Sequence, residues 1–175
     1  FDCGKEIMNI FIDSQKRIWV APYNGGLNCL TRDGKLLATY TTRNSSLSNN
    51  VVLSLAEREG QIWIGTDGGG INILDPETGQ FSLLEHIPGR DNYSLPANSI
   101  LCLYNDRNNN MWAGSIRNGL ISIREVSMKT YKDVLPGNDR GLSNSTVLSL
   151  FQESENRIWI GTDGGGIKDR KSTRL

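Results

Sequence analysis

The sequence lacks both an excess of charge of one sign and any long apolar run. Its 19 Lys and Arg residues balance 19 Asp and Glu residues. Nucleic-acid-binding domains usually carry a basic excess, so the composition argues against that class. No apolar run approaches the roughly 18 residues of a membrane-spanning helix. We therefore expect no nucleic-acid partner and no membrane segment in this chain.

Cysteine and histidine are also scarce. The three cysteines, Cys3, Cys29 and Cys102, show no C-x-x-C spacing; they are too few for a disulfide framework and wrongly spaced for structural zinc. We expect them to be small, mostly buried side chains. The single histidine, His86, has no evident Ser or Cys partner, so we expect a loop residue rather than a catalytic base. Neither a metal nor a cofactor is expected.

What the sequence does contain is a repeat organised around tryptophan. Four tryptophans, Trp19, Trp63, Trp112 and Trp159, are separated by 44, 49 and 47 residues. Each lies in a short apolar run that is followed by a glycine turn and an aliphatic residue. The runs and turns are RIWVAP with NGGL, QIWIGT with GGGI, NMWAGS with RNGL, and RIWIGT with GGGI. Another strand-like stretch precedes each tryptophan run: IMNIFID, VVLSLAE, SILCLYND and TVLSLFQE.

Each repeat unit is predicted to form four short antiparallel strands. Four strands in about 45 residues, repeated, is the pattern of a β-propeller blade, and no window shows the 3.6-residue periodicity of a long helix. We therefore predict an all-β fold, a β-propeller fragment of about 3.5 four-stranded blades of 44–49 residues. The predicted units are 1–46, 47–94, 95–141 and a partial unit, 142–167, with only its first two strands. The tail 168–175 does not match the repeat, and we interpret it as an expression-derived end or a frame change, the alternative being a native tail.

The glycine turn raises an alternative, because IWIGTDGGGI occurs twice, at 62–71 and at 158–167. A glycine loop that cradles phosphate is followed by a helix, whose N-terminus holds the anion. Here a strand follows, and the turn recurs once per unit. We therefore predict a tight turn between the second and third strands, in conformations that glycine adopts at little cost.

The tryptophans are predicted to pack between neighbouring blades, because a sheet that is apolar on both faces cannot cover itself. Burying ~150–250 Å² each at ~25 cal/mol/Å² contributes roughly 4–6 kcal/mol per tryptophan before entropy. Cys102 falls where Asn9, Ser54 and Ser149 fall in their units, which indicates that a small side chain is needed there. An open arc of blades leaves two apolar faces in water. We therefore predict that the chain on its own self-associates, as a dimer in the simplest case, whereas in a longer parent protein the missing blades would cover these faces instead.

Residues 47–86, LSNNVVLSLAEREGQIWIGTDGGGINILDPETGQFSLLEH, resemble the repeat of the two-component regulator propeller family. The resemblance extends from residue 1 to about 167, with departures in the glycine turns of the first and third units. It implies a periplasmic sensor domain of a hybrid two-component system, of the kind common in gut Bacteroidetes. It also implies recognition of carbohydrate breakdown products and signalling through a β-sandwich to a histidine kinase, parts that this chain does not contain. The chain opens at Phe1 without an initiating Met, so we interpret it as a piece of a longer protein, and its lack of an export signal is uninformative.

Candidate ligand-binding residues lie in the turns between the second and third strands. In propellers these turns share one face with the blade-to-blade loops, and small ligands often bind near the channel mouth on that face. Aromatic and planar polar groups suit sugars, and Tyr23, Arg117 and Asn118 break the unit pattern. The full candidate set is Tyr23, Asn24, Asp67, Arg117, Asn118 and Asp163. The alternative is that these are ordinary turn residues, above all the two aspartates.

Three functions remain open at this point. The first is a non-catalytic carbohydrate receptor, whose ligand bridges several blades and shifts the geometry of a receptor dimer. The second is a propeller-type lyase or glycosidase, although the acidic residues fall mainly in turns and at strand ends. The third is a protein-interaction scaffold. The segment DRNNN at 106–110 faintly resembles a calcium loop, but it lacks the terminal Glu and is expected to be a hairpin turn.

Overall fold

A computed structural model describes residues 6–89, 94–124, 128–132, 141–154 and 157–171. This part of the chain forms fifteen β-strands and no helix. The strands form four antiparallel sheets, which we call blades 1 to 4 in chain order. The predicted all-β propeller architecture is thus confirmed.

The strand bounds follow the tryptophan repeat. Blade 1 contains β1 (Ile7–Ile12), β2 (Ile18–Pro22), β3 (Leu27–Leu30) and β4 (Leu36–Tyr40). Blade 2 contains β5 (Val52–Arg58), β6 (Gln61–Thr66), β7 (Ile71–Leu74) and β8 (Phe81–Leu84). Blade 3 contains β9 (Ile100–Asn105), β10 (Met111–Ser115), β11 (Leu120–Ile123) and β12 (Met128–Tyr131). Blade 4 contains β13 (Val147–Ser154), β14 (Arg157–Thr162) and β15 (Gly166–Lys171).

Blade 4 corrects one expectation, because it has a third strand. We expected its strands to stop after the second, yet Lys168 pairs with Ile160 and Asp169 pairs with Trp159 in β15. Antiparallel pairing uses backbone atoms, and charged side chains are well tolerated on an edge strand. The segment KDRK therefore departs from the repeat in sequence without ending the sheet. The origin of the tail stays a prediction.

The core lies between the blades, in three clusters. Each cluster combines one face of a blade with the opposite face of the next. Trp19 packs with Leu55, Ile62 and Ile64 of blade 2. Trp63 packs with Ile100 and Leu103 of blade 3, and Trp112 with Val147 and Ile160 of blade 4. The predicted packing of these tryptophans between blades is confirmed.

Strand alternation explains this arrangement. In β6 of blade 2, Trp63 points toward blade 3, whereas its neighbours Ile62 and Ile64 point in the opposite direction, toward blade 1. Successive side chains of a strand point to opposite faces, so a run such as IWI supplies both. In every blade we call the side that carries the tryptophan the Trp face and the other side the leading face.

The small residue predicted in the first strand has a clear steric reason. Ser54, Cys102 and Ser149 lie opposite Gly65, Gly114 and Gly161, and Asn9 lies opposite Ala21. A Cβ on those glycines would collide with the Ser or Cys side chain across the strand pair. Short side chains on both strands therefore let consecutive blades approach closely along their first strands.

Candidate functional site on the turn face

The turn face is the edge of the blades that carries the turns between second and third strands. The glycine that ends each turn, Gly26, Gly70, Gly119 or Gly166, has a φ between 73° and 79°. In the first three blades a Cβ at this glycine would collide with the carbonyl oxygen of the residue that ends the fourth strand. The prediction of a glycine-requiring turn is confirmed.

These glycines also link consecutive blades. Gly26 N–H donates to the Asn50 carbonyl at 3.0 Å, and Gly70 N–H donates to the Asn98 carbonyl at 2.8 Å. Gly119 N–H donates to the Ser145 carbonyl at 2.6 Å. Each acceptor belongs to the loop that enters the next blade. The turns and the blade-to-blade loops therefore share one edge, as the propeller architecture requires.

The first blade carries two candidate residues in its turn. Tyr23 follows β2, and its side chain is 55% exposed. Its backbone N–H donates to the Glu6 carbonyl at 2.7 Å. Asn24 is exposed and has a φ of 49°, a left-handed conformation that asparagine adopts more readily than most other non-glycine residues. The backbone of this turn is fixed while its side chains face solvent.

The third blade repeats this geometry with different side chains. Arg117 is exposed and has a φ of 65°. Gly68 and Gly164 hold the same place in blades 2 and 4, with φ of 85° and 71°. Arg117 N–H donates to Thr146 Oγ1 at 3.3 Å, and Asn118 Nδ2 donates to the Ile116 carbonyl at 3.4 Å. Asn24 and Arg117 thus occupy a position where the repeat otherwise uses glycine.

The two candidate aspartates are exposed turn residues. Asp67 N–H donates to the Val51 carbonyl at 2.9 Å, and Asp163 N–H donates to the Thr146 carbonyl at 3.0 Å. Asp67 Oδ1 also accepts a 2.8 Å hydrogen bond from Ser99 Oγ, which lies in the loop entering blade 3. Both residues therefore help to hold the turn through backbone hydrogen bonds.

Two other residues raised by the sequence have local roles. His86 lies in the loop after β8, where Nδ1 contacts the Leu95 carbonyl at 2.8 Å. Asp106 begins the turn between β9 and β10, and its Oδ1 accepts from the N–H groups of Asn108 and Asn110. The hairpin prediction for DRNNN is confirmed. Among the described residues, no group of three or more His, Cys, Asp or Glu side chains is placed to hold a metal ion.

The opposite edge contains an arrangement that the sequence interpretation missed. Asp13 is fully buried and accepts hydrogen bonds from Trp19 Nε1 at 2.9 Å and Arg17 Nε at 2.6 Å. In blade 3, Asp106 Oδ2 accepts from Trp112 Nε1 at 2.8 Å. An Asp six residues before a Trp, found in both units, was the available signal.

Blade 2 lacks this carboxylate. By strand register Arg58 takes the place of Asp13, in a turn that is one residue shorter. Its guanidinium carbon lies 5.8 Å from the centre of the Trp63 ring, much as Arg17 lies 5.7 Å from Trp19. Within the described part of the chain, the buried Trp63 Nε1 has no hydrogen-bond partner. Blades with the same fold therefore differ in whether they supply a hydrogen-bond acceptor to the tryptophan indole N–H.

Electrostatics follow from these contacts. Burial raises the pKa of Asp13, but the hydrogen bonds from Trp19 and Arg17 outweigh burial, so its pKa lies below the ordinary value. Burial raises the pKa of Cys29 to about 11 and that of Cys102 to about 12. Both thiols are free and at least partly buried, as expected for packing residues. Cys3 lies outside the described residues.

Four consecutive sheets of this kind, each packed on the next, define a segment of a β-propeller. Residues 46–68, 94–117 and 141–164 match the family described as two component regulator propeller. Three of the four repeat units therefore match that family's model, which confirms the resemblance drawn from the sequence.

Solved structures agree with this assignment. The extracellular domain of BT4673 from B. thetaiotaomicron, described as a hybrid or one component system, is 28% identical with a TM-score of 0.76. The match covers 100% of this chain and 24% of that one. The extracellular domain of BT3049 from B. thetaiotaomicron, described as a hybrid two component system, is 25% identical with a TM-score of 0.74. That match covers 89% of this chain and 20% of that one.

Other comparisons bear on the fold alone. The WD40 beta propeller domain of Doa1 is 14% identical, with a TM-score of 0.68 over 97% of this chain and 52% of that one. No curated protein sequence matches the chain. The chain spans only about a fifth to a quarter of the length of the two B. thetaiotaomicron domains. In its described part, no helix has the length and apolar character needed to cross a membrane.

Proposed function

We propose that the chain is an extracytoplasmic, periplasmic segment of a two-component sensor and that it recognises carbohydrate without catalysing a reaction on it. Support comes from the family match and from the similarity to extracellular domains of two-component systems. The proposed ligand site lies on the turn face and includes Tyr23, Asn24, Asp67, Arg117, Asn118 and Asp163.

The observation that carries this proposal is the backbone conformation of Arg117 and Asn24. Both hold left-handed conformations at a position that is glycine in blades 2 and 4. Glycine would adopt that conformation without steric cost. A local strain that a simpler residue would relieve is a reason to look for function at that place. Both residues are exposed, so a ligand on this edge could reach them.

The side chains offered there have the chemistry that sugars need. Tyr23 supplies an exposed aromatic face for the apolar side of a sugar ring. Arg117, Asn24 and Asn118 supply planar groups of fixed hydrogen-bonding geometry. Asp67 and Asp163 supply carboxylates that accept from hydroxyl groups. Because blades 1 and 3 contribute different side chains, the turn face is chemically uneven, as a selective surface must be.

The mechanism follows from the links at the same edge. The glycine N–H bonds join each turn to the loop that enters the next blade. A ligand that bridges turns of several blades would favour one relative position of those blades over others. In the longer receptor, this bias would change the geometry of its dimer, and the chemical signalling step would occur outside this chain.

The test is oligosaccharide binding by the purified chain, followed on a glycan array and then by calorimetry on each hit. Arg117→Gly should weaken binding tenfold or more, while leaving the fold intact because glycine suits that backbone conformation. Lys16→Gly is the matched control. Lys16 is also basic and exposed and has a φ of 67°, but it lies in the turn at the opposite edge.

Each outcome discriminates among the three functions. Binding that Arg117→Gly weakens and Lys16→Gly spares supports the receptor. Release of shortened or unsaturated sugars during incubation, measured by chromatography, would support the enzyme. Absence of binding to every saccharide would remove the carbohydrate proposal, and a protein captured through the turn face would then favour the scaffold.

A further inference from the structure

Asn118 occupies a position in the turn of blade 3 that is glycine in the other three blades. It directly precedes the left-handed glycine that ends the turn, as Gly25, Gly69 and Gly165 do in their blades. It is partly buried, whereas the preceding Arg117 is exposed. A side chain is therefore accommodated in blade 3 at a place where the other blades have none.

The loop that enters each blade explains why this position is glycine in blades 2 and 4. A Cβ on Gly69 would lie less than 3.0 Å from Ser48 Oγ and from Asn49 Cβ. A Cβ on Gly165 would meet the corresponding Ser and Asn of the loop that enters blade 4 in the same way. Real Cβ atoms do not approach other atoms so closely, so the loop excludes a side chain from this turn position.

The loop that enters blade 3 has a different sequence. A buried leucine, Leu47, Leu95 or Leu142, lies at the same place in the three loops. It is followed by Ser and Asn in blades 2 and 4, but by Pro96 and Ala97 in blade 3. Ala97 thus replaces the loop asparagine, and its short side chain leaves the space that a side chain at position 118 needs.

The loop asparagine of blade 2 and the turn asparagine of blade 3 bind the same carbonyl group. Asn49 Nδ2 donates to the Asp67 carbonyl at 2.6 Å, and Asn118 Nδ2 donates to the Ile116 carbonyl at 3.4 Å. Asp67 and Ile116 hold equivalent positions, since each directly follows the second strand of its blade. A side-chain amide therefore reaches this carbonyl from the loop in blade 2 and from the turn itself in blade 3.

This carbonyl belongs to the peptide group that joins Ile116 to Arg117. At the other end of that group, Arg117 N–H donates to Thr146 Oγ1 at 3.3 Å. A peptide group is planar, so holding its carbonyl and its N–H fixes the orientation of the whole plane. Asn118 and Thr146 together therefore hold Arg117 in its left-handed conformation, with a φ of 65°.

We propose that Asn118 is a positioning residue of the turn face, which replaces the missing loop asparagine and fixes the backbone from which Arg117 reaches solvent. The inference rests on the proposed function only in that a ligand would contact Arg117. The exchange of Asn for Ala in the loop and of Gly for Asn in the turn is one coupled change, because each half requires the other.

A double-mutant cycle on thermal unfolding tests the coupling. Asn118→Gly should lower Tm by about 2–4 °C, the shift expected when one ordinary hydrogen bond is lost in a domain of this size. Adding Ala97→Asn restores the pair found in blade 2 and should return Tm to the wild-type value or above. Ala97→Asn alone should not raise Tm, because its amide and that of Asn118 would compete for one carbonyl and one space.

The matched control is Asn109→Gly, in the turn at the opposite edge of the same blade. Asn109 also has a left-handed φ, 61°, and its Nδ2 also donates a hydrogen bond, to Glu59 Oε1. Ala97→Asn should not raise the Tm of Asn109→Gly. A rise there equal to the rise in Asn118→Gly would show general stabilisation and would overturn the coupling.

Amide hydrogen exchange at Arg117, measured by NMR, shows whether Asn118 acts on this residue. Exchange should become roughly tenfold faster in Asn118→Gly and return to the wild-type rate in the double variant. Unchanged exchange in Asn118→Gly, or no recovery in the double variant, would overturn the proposal. Because this measurement needs only the folded chain, it decides the role of Asn118 even if the wild-type chain binds no saccharide and the proposed function fails.

Binding of the saccharides found on the glycan array separates positioning from direct contact. The double variant has no side chain at position 118 but has a fixed Arg117. It should therefore bind as the wild type does, while Asn118→Gly alone binds more weakly. If the double variant regains its Tm and its slow exchange at Arg117 but still binds weakly, Asn118 itself contacts the saccharide, and the positioning role is wrong.

Discussion

The unequal environments of the tryptophan side chains give a sharp test of how the blades are stabilised. Trp19 and Trp112 donate to buried carboxylates, whereas Trp63 is buried without an acceptor among the described residues. All three lie between consecutive blades. Replacing each by Phe removes the indole N–H and part of the ring while keeping an aromatic side chain.

The three substitutions should differ in cost. Shrinking Trp to Phe removes about 40 Å² of apolar burial, worth about 1 kcal/mol in each case. At Trp19 and Trp112 a hydrogen bond to a charged acceptor is also lost, worth about 1.5–3 kcal/mol. At Trp63 the substitution removes a buried, unpaired donor, which stabilises the fold by about 1–3 kcal/mol and offsets the lost burial. Trp19→Phe and Trp112→Phe should each destabilise by about 3 kcal/mol, and Trp63→Phe by about zero.

Urea and thermal unfolding, each followed by far-ultraviolet circular dichroism, measure these differences without relying on tryptophan fluorescence. Because 1 kcal/mol shifts Tm by about 2–4 °C in a domain of 150–250 residues, Trp19→Phe should melt roughly 6–12 °C below Trp63→Phe. The arginine that covers the ring is present at both Trp19 and Trp63, so its attraction to the ring largely cancels. Equal losses of stability at all three positions would refute the hydrogen-bond reasoning.

Three further predictions follow from the same structure. Gly70→Ala should destabilise the fold by about 2–4 kcal/mol, because the φ at this position is 73° and the added Cβ would collide with the Leu84 carbonyl. Gly164→Ala has a similar φ of 71° but meets no atom nearby, so it should destabilise by only about 1 kcal/mol. The midpoints of urea unfolding compare the two variants. The depressed pKa of Asp13 gives a contribution to stability that is present above pH ~4 and is lost as the pH falls through the folded-state pKa, so Asp13→Asn should flatten the acid side of the stability profile. Since burial raises the pKa of Cys29 to about 11 and of Cys102 to about 12, iodoacetamide at pH 8 should label both only after unfolding, as peptide mass spectrometry can establish. Rapid labelling of either thiol in the folded chain would contradict its assigned environment.

The propeller fold could be predicted because its strongest signals are periodic. Runs such as IWI supply one face with tryptophan and the other with isoleucine, and their recurrence implies equivalent sheets that cover one another. The glycine turns were predictable for a similar reason, since the structure requires a left-handed φ at Gly26, Gly70 and Gly119. A sequence pattern that recurs in every unit reflects the backbone geometry that all blades share.

The errors and omissions concern single residues. Strand β15 was missed because its charged side chains conceal a pairing made by the backbone alone. The hydrogen bonds from the tryptophan indoles to Asp13 and Asp106 were missed because aspartate at the start of a turn is also common without such a bond. The loss of that bond in blade 2 depends on Arg58 and on a turn shortened by one residue, which only the register reveals. The location of the candidate ligand residues on one edge was predictable, and their binding role remains a prediction.

The glycine links at the turn face have a consequence for how such a protein can change. They join neighbouring blades through main-chain N–H and carbonyl groups, so cohesion at that edge does not depend on which side chains the turn displays. Tyr23 and Arg117 differ from their counterparts while the blades keep the same register. Mutation can therefore change the side chains that these turns display without disturbing the contacts between blades, because the links use main-chain atoms of the same short segment.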